Sequence, residues 1–197
     1  MMAAINKRLD MGDRMSKQVL ILTLAALLLS ACGTTQQTAS SSGGGYLAGD
    51  GPGDTPDNLD SIPNAVPRNE PLHRYANRPY TALGKTYTPL TSIGDYKKRG
   101  IASWYGKKFH GQRTSSGEVY DMYAMTAAHP VLPLPSYVKV TNVSNNKSVI
   151  VRVNDRGPFL HNRLIDLSYV AAHKLGIVGA GSGEVEVESI MPPAKMS

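Results

Sequence analysis

Seven short runs rich in β-branched and aromatic residues follow one another between residues 85 and 190, and they leave few folds open to this chain. They are Lys85–Leu90, Gly100–Tyr105, Val119–Ala127, Tyr137–Val143, Ser148–Val153, Leu164–Leu167 and Glu184–Ile190. Successive side chains of a strand point to opposite faces. Val149, Val151 and Val153 therefore share one face, with Ile150 and Arg152 on the other. Val185 and Val187 face inward, while Glu184, Glu186 and Glu188 face out. Asn145-Asn146 suits a tight turn between two runs. One short helix is expected, with Ser168 as its N-cap, Leu175 near its end and Gly176 as its stop. Many short strands with a single helix predict a mainly β domain, a closed or nearly closed barrel that hides its edges. Periodicity alone leaves the topology open.

Composition narrows the classes further. The 197 residues are 41% hydrophobic and 18% charged, which suits one globular domain with extra segments. No internal repeat or sustained heptad is present, which excludes solenoids, collagens and coiled coils. Cys32 is the sole cysteine, so a disulfide scaffold is excluded.

The first 31 residues read as an address. Val19 to Leu29 is an eleven-residue apolar run preceded by Lys7, Arg8, Arg14 and Lys17. A spanning helix needs about twenty apolar residues, so this run is a secretory signal core. Met15 offers a second, more compact start. The run ends in Leu29-Ser30-Ala31-Cys32, which resembles the lipobox of bacterial lipoproteins. That resemblance implies a signal peptide over 1–31 and a lipidated Cys32 as the mature N-terminus. Gly33, in place of an aspartate, implies transfer to the outer membrane.

Residues 32–79 read as a flexible tether, since Ser, Thr, Gln, Gly and Asp bury too little apolar surface to offset chain entropy. Residues 33–63 carry a net charge of −4, and residues 64–197 carry +8. The positive charge thus lies on the folded part, residues 80–197, whose barrel core is expected at about 98–190. It serves either solubility or attraction to an anionic polymer.

Two segments could carry chemistry. Residues 103–129 hold the sole Trp, Gly-rich turns and two carboxylates three apart, Glu118 and Asp121. Trp104 and Tyr105 are either stacking faces for sugars or core residues. Glu118 is either a site carboxylate or a solvated turn residue. The second segment is Arg152-Val153-Asn154-Asp155-Arg156-Gly157-Pro158-Phe159. Asp155 follows a strand and by parity shares the Val151–Val153 face, which would set its carboxyl in a cleft at the core edge. A plain Asn-Asp turn is the alternative. The five histidines show no ligand spacing, so no metal is expected, and there is no phosphate loop or nucleophile elbow.

Gly100-Ile101-Ala102-Ser103-Trp104-Tyr105-Gly106, Thr114-Ser115-Ser116-Gly117-Glu118, Met125-Thr126-Ala127-Ala128-His129-Pro130, Val153-Asn154-Asp155-Arg156-Gly157-Pro158 and Arg163-Leu164-Ile165-Asp166-Leu167-Ser168 closely resemble the rare lipoprotein A (RlpA) family over roughly residues 80–190. The resemblance implies a six-stranded double-psi β-barrel of the barwin–expansin kind with one or two short helices. One of the seven runs, Lys85–Leu90, should then lie outside the barrel. It implies a septal lytic transglycosylase that cleaves peptidoglycan strands stripped of stem peptides. It carries catalytic roles onto Asp155, Glu118 and His129, with Asp121 a weaker fourth. Asp155 would protonate the leaving oxygen and then accept the C6 proton. Glu118 would orient substrate, or act with Asp155 in an inverting hydrolysis, and His129 would fix the carboxylates. Trp104, Tyr105, Arg152 and Arg156 are weaker substrate-binding candidates, and Lys107, Lys108 and Arg113 add positive charge.

Expected partners are peptidoglycan glycan strands, the membrane through lipid on Cys32, and division-site or amidase proteins. No cofactor or nucleic acid is expected. The sequence runs only seven residues past Ile190, so the SPOR domain that many members carry is not expected. The expected location is the outer membrane's inner leaflet, facing the periplasm. The competing reading is a glycan-binding or division-associated module without catalysis.

Overall fold

The computed structural model describes residues 50–160 and 162–192. The signal segment, Cys32 and the tether as far as residue 49 lie outside the described residues. Eight strands are present among those described: β1 (Tyr80–Ala82), β2 (Lys85–Tyr87), β3 (Lys97–Tyr105), β4 (Thr126–Ala128), β5 (Ser136–Asn142), β6 (Ser148–Asp155), β7 (Arg163–Ser168) and β8 (Ser182–Ser189). One α-helix is present among the described residues, α1 (Tyr169–Leu175), which follows β7 directly. Six strands close into a barrel in the order β3-β7-β4-β6-β5-β8. The pairs β3/β7 and β4/β6 are parallel, and the others are antiparallel. This is the six-stranded double-psi barrel that the family motifs imply. As expected, Lys85–Tyr87 lies outside it, in a two-stranded sheet with Tyr80–Ala82.

Alternation builds the core. Val149, Val151 and Val153 of β6 are buried, with Val138 and Val140 of β5 and Val185 and Val187 of β8. Burying each such side chain is worth about 1.5–3 kcal/mol in transfer free energy. The outward Glu186 meets Lys97 at 3.0 Å and Arg99 at 2.9 Å across the β3/β8 pair. Such exposed pairs contribute little to stability. Helix α1 is closed at both ends: Ser168 Oγ accepts from Ala171 N at 3.4 Å, and Gly176 takes a left-handed φ of 75°. The Asn145-Asn146 turn does more than reverse the chain. Asn142 and Asn145 each donate their side-chain amide to Leu175 O, at 2.9 and 3.0 Å, satisfying an orphan carbonyl of the helix end.

Two expectations are corrected. Val119–Ala127 does not form one strand; only Thr126–Ala128 enters the barrel. Tyr120 and Met122 are buried from a turning backbone, with Tyr120 N and O bonded to Gln112 O and Gly111 N. Their apolar spacing reflects plugs in the core rather than a strand.

The second correction concerns residues 50–79, which lie along the barrel. Asp50 is buried and accepts from Gly106 N at 2.8 Å and Lys108 N at 3.0 Å. Leu59 enters the core, Ala65 N donates to Ile150 O at 3.0 Å, and His73 N donates to Leu134 O at 2.7 Å. Gly106 is required here, because a Cβ at that position would collide with Gly51 O and the Trp104 ring. A polar segment with few apolar residues is thus held by backbone groups of the barrel, a stabilisation that composition does not register.

Trp104 is fully buried, its ring centroid 5.5 Å from that of Tyr169. It is core and presents no face to a sugar. Trp104→Ala is expected to destabilise the fold by about 3–5 kcal/mol, read as a lowered urea midpoint. A loss of glycan affinity with an unchanged midpoint would contradict this placement.

Candidate active site

Asp155 owes its position to a bulge. Ala127 of β4 pairs with Val153, but Ala128 pairs with Asp155, so Asn154 is the extra residue on β6. The bulge resets the alternation at the strand end, and Asp155 joins the row of Ala128 rather than that of Val151 and Val153. The parity expected from sequence fails for that reason, although the cleft is present. Asp155 lines a cavity of about 190 Å³ with Tyr105, Phe109, Ala128, Phe159 and Asp166.

A tight turn holds the Asp155 carboxyl. Thr114 N donates to Glu118 O and Gly117 N to Thr114 O, each at 2.8 Å, and Gly117 supplies the left-handed φ of 82° that the turn needs. This places Ser115 over the strand end. Asp155 Oδ1 accepts from Ser115 N at 2.7 Å, Ser115 Oγ at 2.6 Å and Arg156 N at 2.7 Å. Oδ2 has no hydrogen-bond partner among the described residues. With Oδ1 saturated by donors, a proton on this carboxyl must reside on Oδ2.

The same turn carries Glu118 to a different place. Both Glu118 oxygens accept from Arg152 Nη1, at 2.9 and 2.8 Å, and Oε2 also accepts from Asn154 Nδ2 at 2.9 Å. Partial burial opposes ionisation of Glu118. The hydrogen bonds from Asn154 and Arg152 and the Arg152 charge outweigh it, holding the carboxyl below its usual range. Arg152 also forks onto Glu70, Nε to Oε1 at 2.9 Å and Nη2 to Oε2 at 2.8 Å. Glu118, Glu70, Arg68, Tyr137 and Arg152 line an open groove of about 580 Å³. Glu118 and Asp155 therefore sit in two neighbouring concavities, joined through Ser115 and Asn154.

The remaining sequence-derived candidates divide. His129 is buried, and it hydrogen-bonds neither Glu118 nor Asp155 through its ring among the described residues. Its Nδ1 accepts from Val131 N at 3.1 Å and Leu132 N at 2.9 Å, which leaves the ring proton on Nε2 for Tyr96 Oη at 2.9 Å. Its tie to Asp155 is by backbone, His129 N donating to Asp155 O at 3.0 Å. The expected bracing of the carboxylates by this ring is corrected: the imidazole braces the 129–132 loop instead. Arg156 is also committed to structure. Its guanidinium donates to Ala76 O, His129 O, Leu132 O and Asn77 Oδ1. The Arg152 guanidinium is likewise taken up by two carboxylates. Asp121 accepts from Tyr123 N at 2.9 Å and lies 3.7 Å from His110 Nδ1, away from both concavities. Tyr105 is buried as a core residue would be, yet it walls the Asp155 cavity, stacked on Tyr120 with ring centroids 4.1 Å apart.

Four contributors escaped the sequence reading as site residues: Ser115, Glu70, Tyr96 and Asp166. Ser115 was visible within Thr-Ser-Ser-Gly-Glu, and Asp166 within a strand-like run, but nothing in the spacing links either to Asp155. Glu70 lay in the supposed tether.

Burial, with the Arg156 and Lys98 charges, lowers the His129 pKa from 6.5 to about 3. The unfolded chain takes up this proton below about pH 6.5, while the folded chain refuses it down to about pH 3. This group's contribution to stability is therefore complete above pH 6.5 and is lost as pH falls through that window. Imidazole ¹⁵N shifts of His129 should stay in the neutral Nε2–H form from pH 8 to pH 4. A midpoint near 6.5 in the folded protein would refute this placement.

Residues 97–187 match the family model described as lytic transglycolase. The endolytic peptidoglycan transglycosylase RlpA of Pseudomonas aeruginosa is 52% identical over 182 residues, covering 87% of this chain and 52% of the relative. That of Neisseria meningitidis is 58% identical over 129 residues, covering 66% of this chain and 54% of the relative. The chain thus spans about half the length of the curated relatives it matches. Among solved structures, a Streptomyces papain inhibitor is similar over 50% of this chain and 97% of its own, with 22% identity and a TM-score of 0.42. Identity above one half over 129 and 182 residues makes this chain similar to the RlpA transglycosylases, and the lytic transglycolase match runs from β3 into β8, over the whole barrel.

Proposed function

We propose that the chain is an endolytic peptidoglycan lytic transglycosylase. It cleaves the bond between N-acetylmuramic acid and N-acetylglucosamine and leaves 1,6-anhydro-muramyl ends. The observation that carries this reading is the asymmetric Asp155 carboxyl, saturated on Oδ1 and open on Oδ2, in a cavity walled by Tyr105, Phe109 and Phe159. The name shared by the relatives supports it.

Asp155, protonated on Oδ2, donates to the glycosidic oxygen as the C1–O bond breaks. The C6 hydroxyl of the same muramyl ring then attacks C1, and its proton passes to a carboxylate, for which the ionised Asp155 suffices. No water enters the product. Glu118, kept ionised by Arg152 and Asn154, serves as an acceptor for sugar hydroxyls in the adjoining groove. Strands freed of stem peptides are the expected substrate, since each muramic acid then presents a lactyl carboxylate to a barrel-bearing part of charge +8. An amidase that removes those peptides is the corresponding upstream partner. On the sequence evidence of the lipobox, the enzyme acts from a lipid anchor on Cys32, at the periplasmic face of the outer membrane.

Incubation of the full chain with amidase-stripped strands should yield anhydro-muramyl ends by mass spectrometry. Asp155→Asn should slow their formation by about 100-fold or more while the strands still co-sediment with the protein. Reducing ends would identify a hydrolase instead, and binding without new ends would identify a glycan-binding module.

A further inference from the structure

The barrel register aligns four residues across four strands. Ser103 of β3 pairs with Asp166 of β7, Asp166 with Ala128 of β4, and Ala128 with Asp155 of β6. Residues level on neighbouring strands project to the same face. The two carboxyl residues thus flank Ala128, their backbones two strand spacings apart, roughly 10 Å. Asp166, Ala128 and Asp155 all line the one cavity. Ala128, level with both, brings only a methyl group between them.

Asp166 is almost fully buried, a costly place for a carboxylate without partners. Ser103 Oγ donates to Oδ1 at 2.8 Å, Arg163 Nε lies 3.0 Å from Oδ1, and Arg163 Nη2 donates to Oδ2 at 3.2 Å. A carboxylate offers about four acceptor positions, so one on Oδ2 stays open among the described residues. Burial raises the proton affinity of Asp166 above that of an ordinary aspartate, against the Arg163 charge and the Ser103 hydrogen bond. The titratable and charged groups around it are Arg163 on its own strand, Tyr105 on β3, and Asp155 and Arg156 across the cavity.

We propose that Asp166 is a second catalytic carboxylate, the base that takes the muramyl C6 proton while Asp155 supplies the proton the leaving oxygen needs. This rests on the function proposed above and divides its two proton transfers between two residues. In a β-linked pyranose the leaving oxygen on C1 and the C6 arm lie on the same face of the ring. One sugar can therefore present the first to Asp155 and the second to Asp166. The C1–O bond to the leaving sugar breaks and the O6–C1 bond forms. The Asp155 proton ends on the leaving hydroxyl, and the C6 proton ends on Asp166. Both carboxyls return to their starting states by proton exchange with water after product leaves, and no further reactant is consumed.

The test compares Asp166→Asn and Asp155→Asn with the wild-type full chain on amidase-stripped strands, reading product ends and strand binding. Folded Asp166→Asn should bind strands like the wild type, form anhydro ends about 100-fold more slowly or worse, and give a larger share of reducing ends in its residual turnover. Wild-type rates in that variant, with Asp155→Asn inactive, would overturn the role of Asp166 and leave the proposed function standing. A wild-type chain that makes no new ends would overturn both. Should Asp166→Asn not fold, Ser103→Ala keeps the carboxyl but removes its donor. The acid limb of the kcat–pH profile should then move to higher pH, because the ionised form has lost a hydrogen bond. An unmoved limb would overturn the proposal.

Discussion

The buried guanidinium of Arg156 is the constraint on which the rest of this site depends. Its five donors are spent on three backbone carbonyls and one side-chain oxygen, drawn from two separate stretches of chain: Ala76 and Asn77, and the loop from His129 to Leu132. Burial works against its charge, and the Tyr80 and Asp155 groups nearby favour it. A charge taken from water is tolerated when its hydrogen bonds are complete, and here they are completed by loop carbonyls and the Asn77 side chain, groups that no strand uses. The consequence falls on the preceding residue in the chain. Arg156 N donates to Asp155 Oδ1, so the residue whose side chain knits the loops together also holds, through its backbone N–H, a carboxyl that lines the cavity.

Around that point the molecule keeps two carboxylates in different circumstances with one short turn. Ser115 faces Asp155 and leaves one of its oxygens unoccupied, while Glu118, three residues on, is clamped by a cation. A turn fixed at Thr114 and Gly117 cannot move one contact without the other. The Glu118–Arg152–Glu70 series in the groove and the grip on Asp155 therefore share one short piece of backbone.

What was legible in the sequence were features with a period. The valines of β6 and β8, the outward glutamates, the capped helix and the Asn-Asn turn each repeat or terminate a local pattern, and the structure has them where the pattern put them. Two kinds of feature were not legible. Residues 50–79 have no period, because Asp50, Asn64, His73 and Asn77 are held by hydrogen bonds to a surface that exists only after the barrel closes. The bulge at Asn154 adds one residue without any compositional mark, and it reverses the face on which Asp155 lies. The family motifs pointed to Asp155, Glu118 and His129, but only the register shows that Asp166 stands level with Asp155 across a single alanine. Trp104 illustrates the opposite risk, an aromatic suited to sugar stacking that the barrel uses as filling.

The buried Asp50 also has a mechanical meaning. Its carboxylate grips Gly106 and Lys108 at the start of the loop that bears Phe109, a wall of the cavity. Any pull transmitted along the chain into residue 50 loads these hydrogen bonds before it reaches a barrel strand. A force on Asp50 is thus felt at the rim of the cavity, because the strand pairings of the closed barrel are not among the contacts its carboxylate makes.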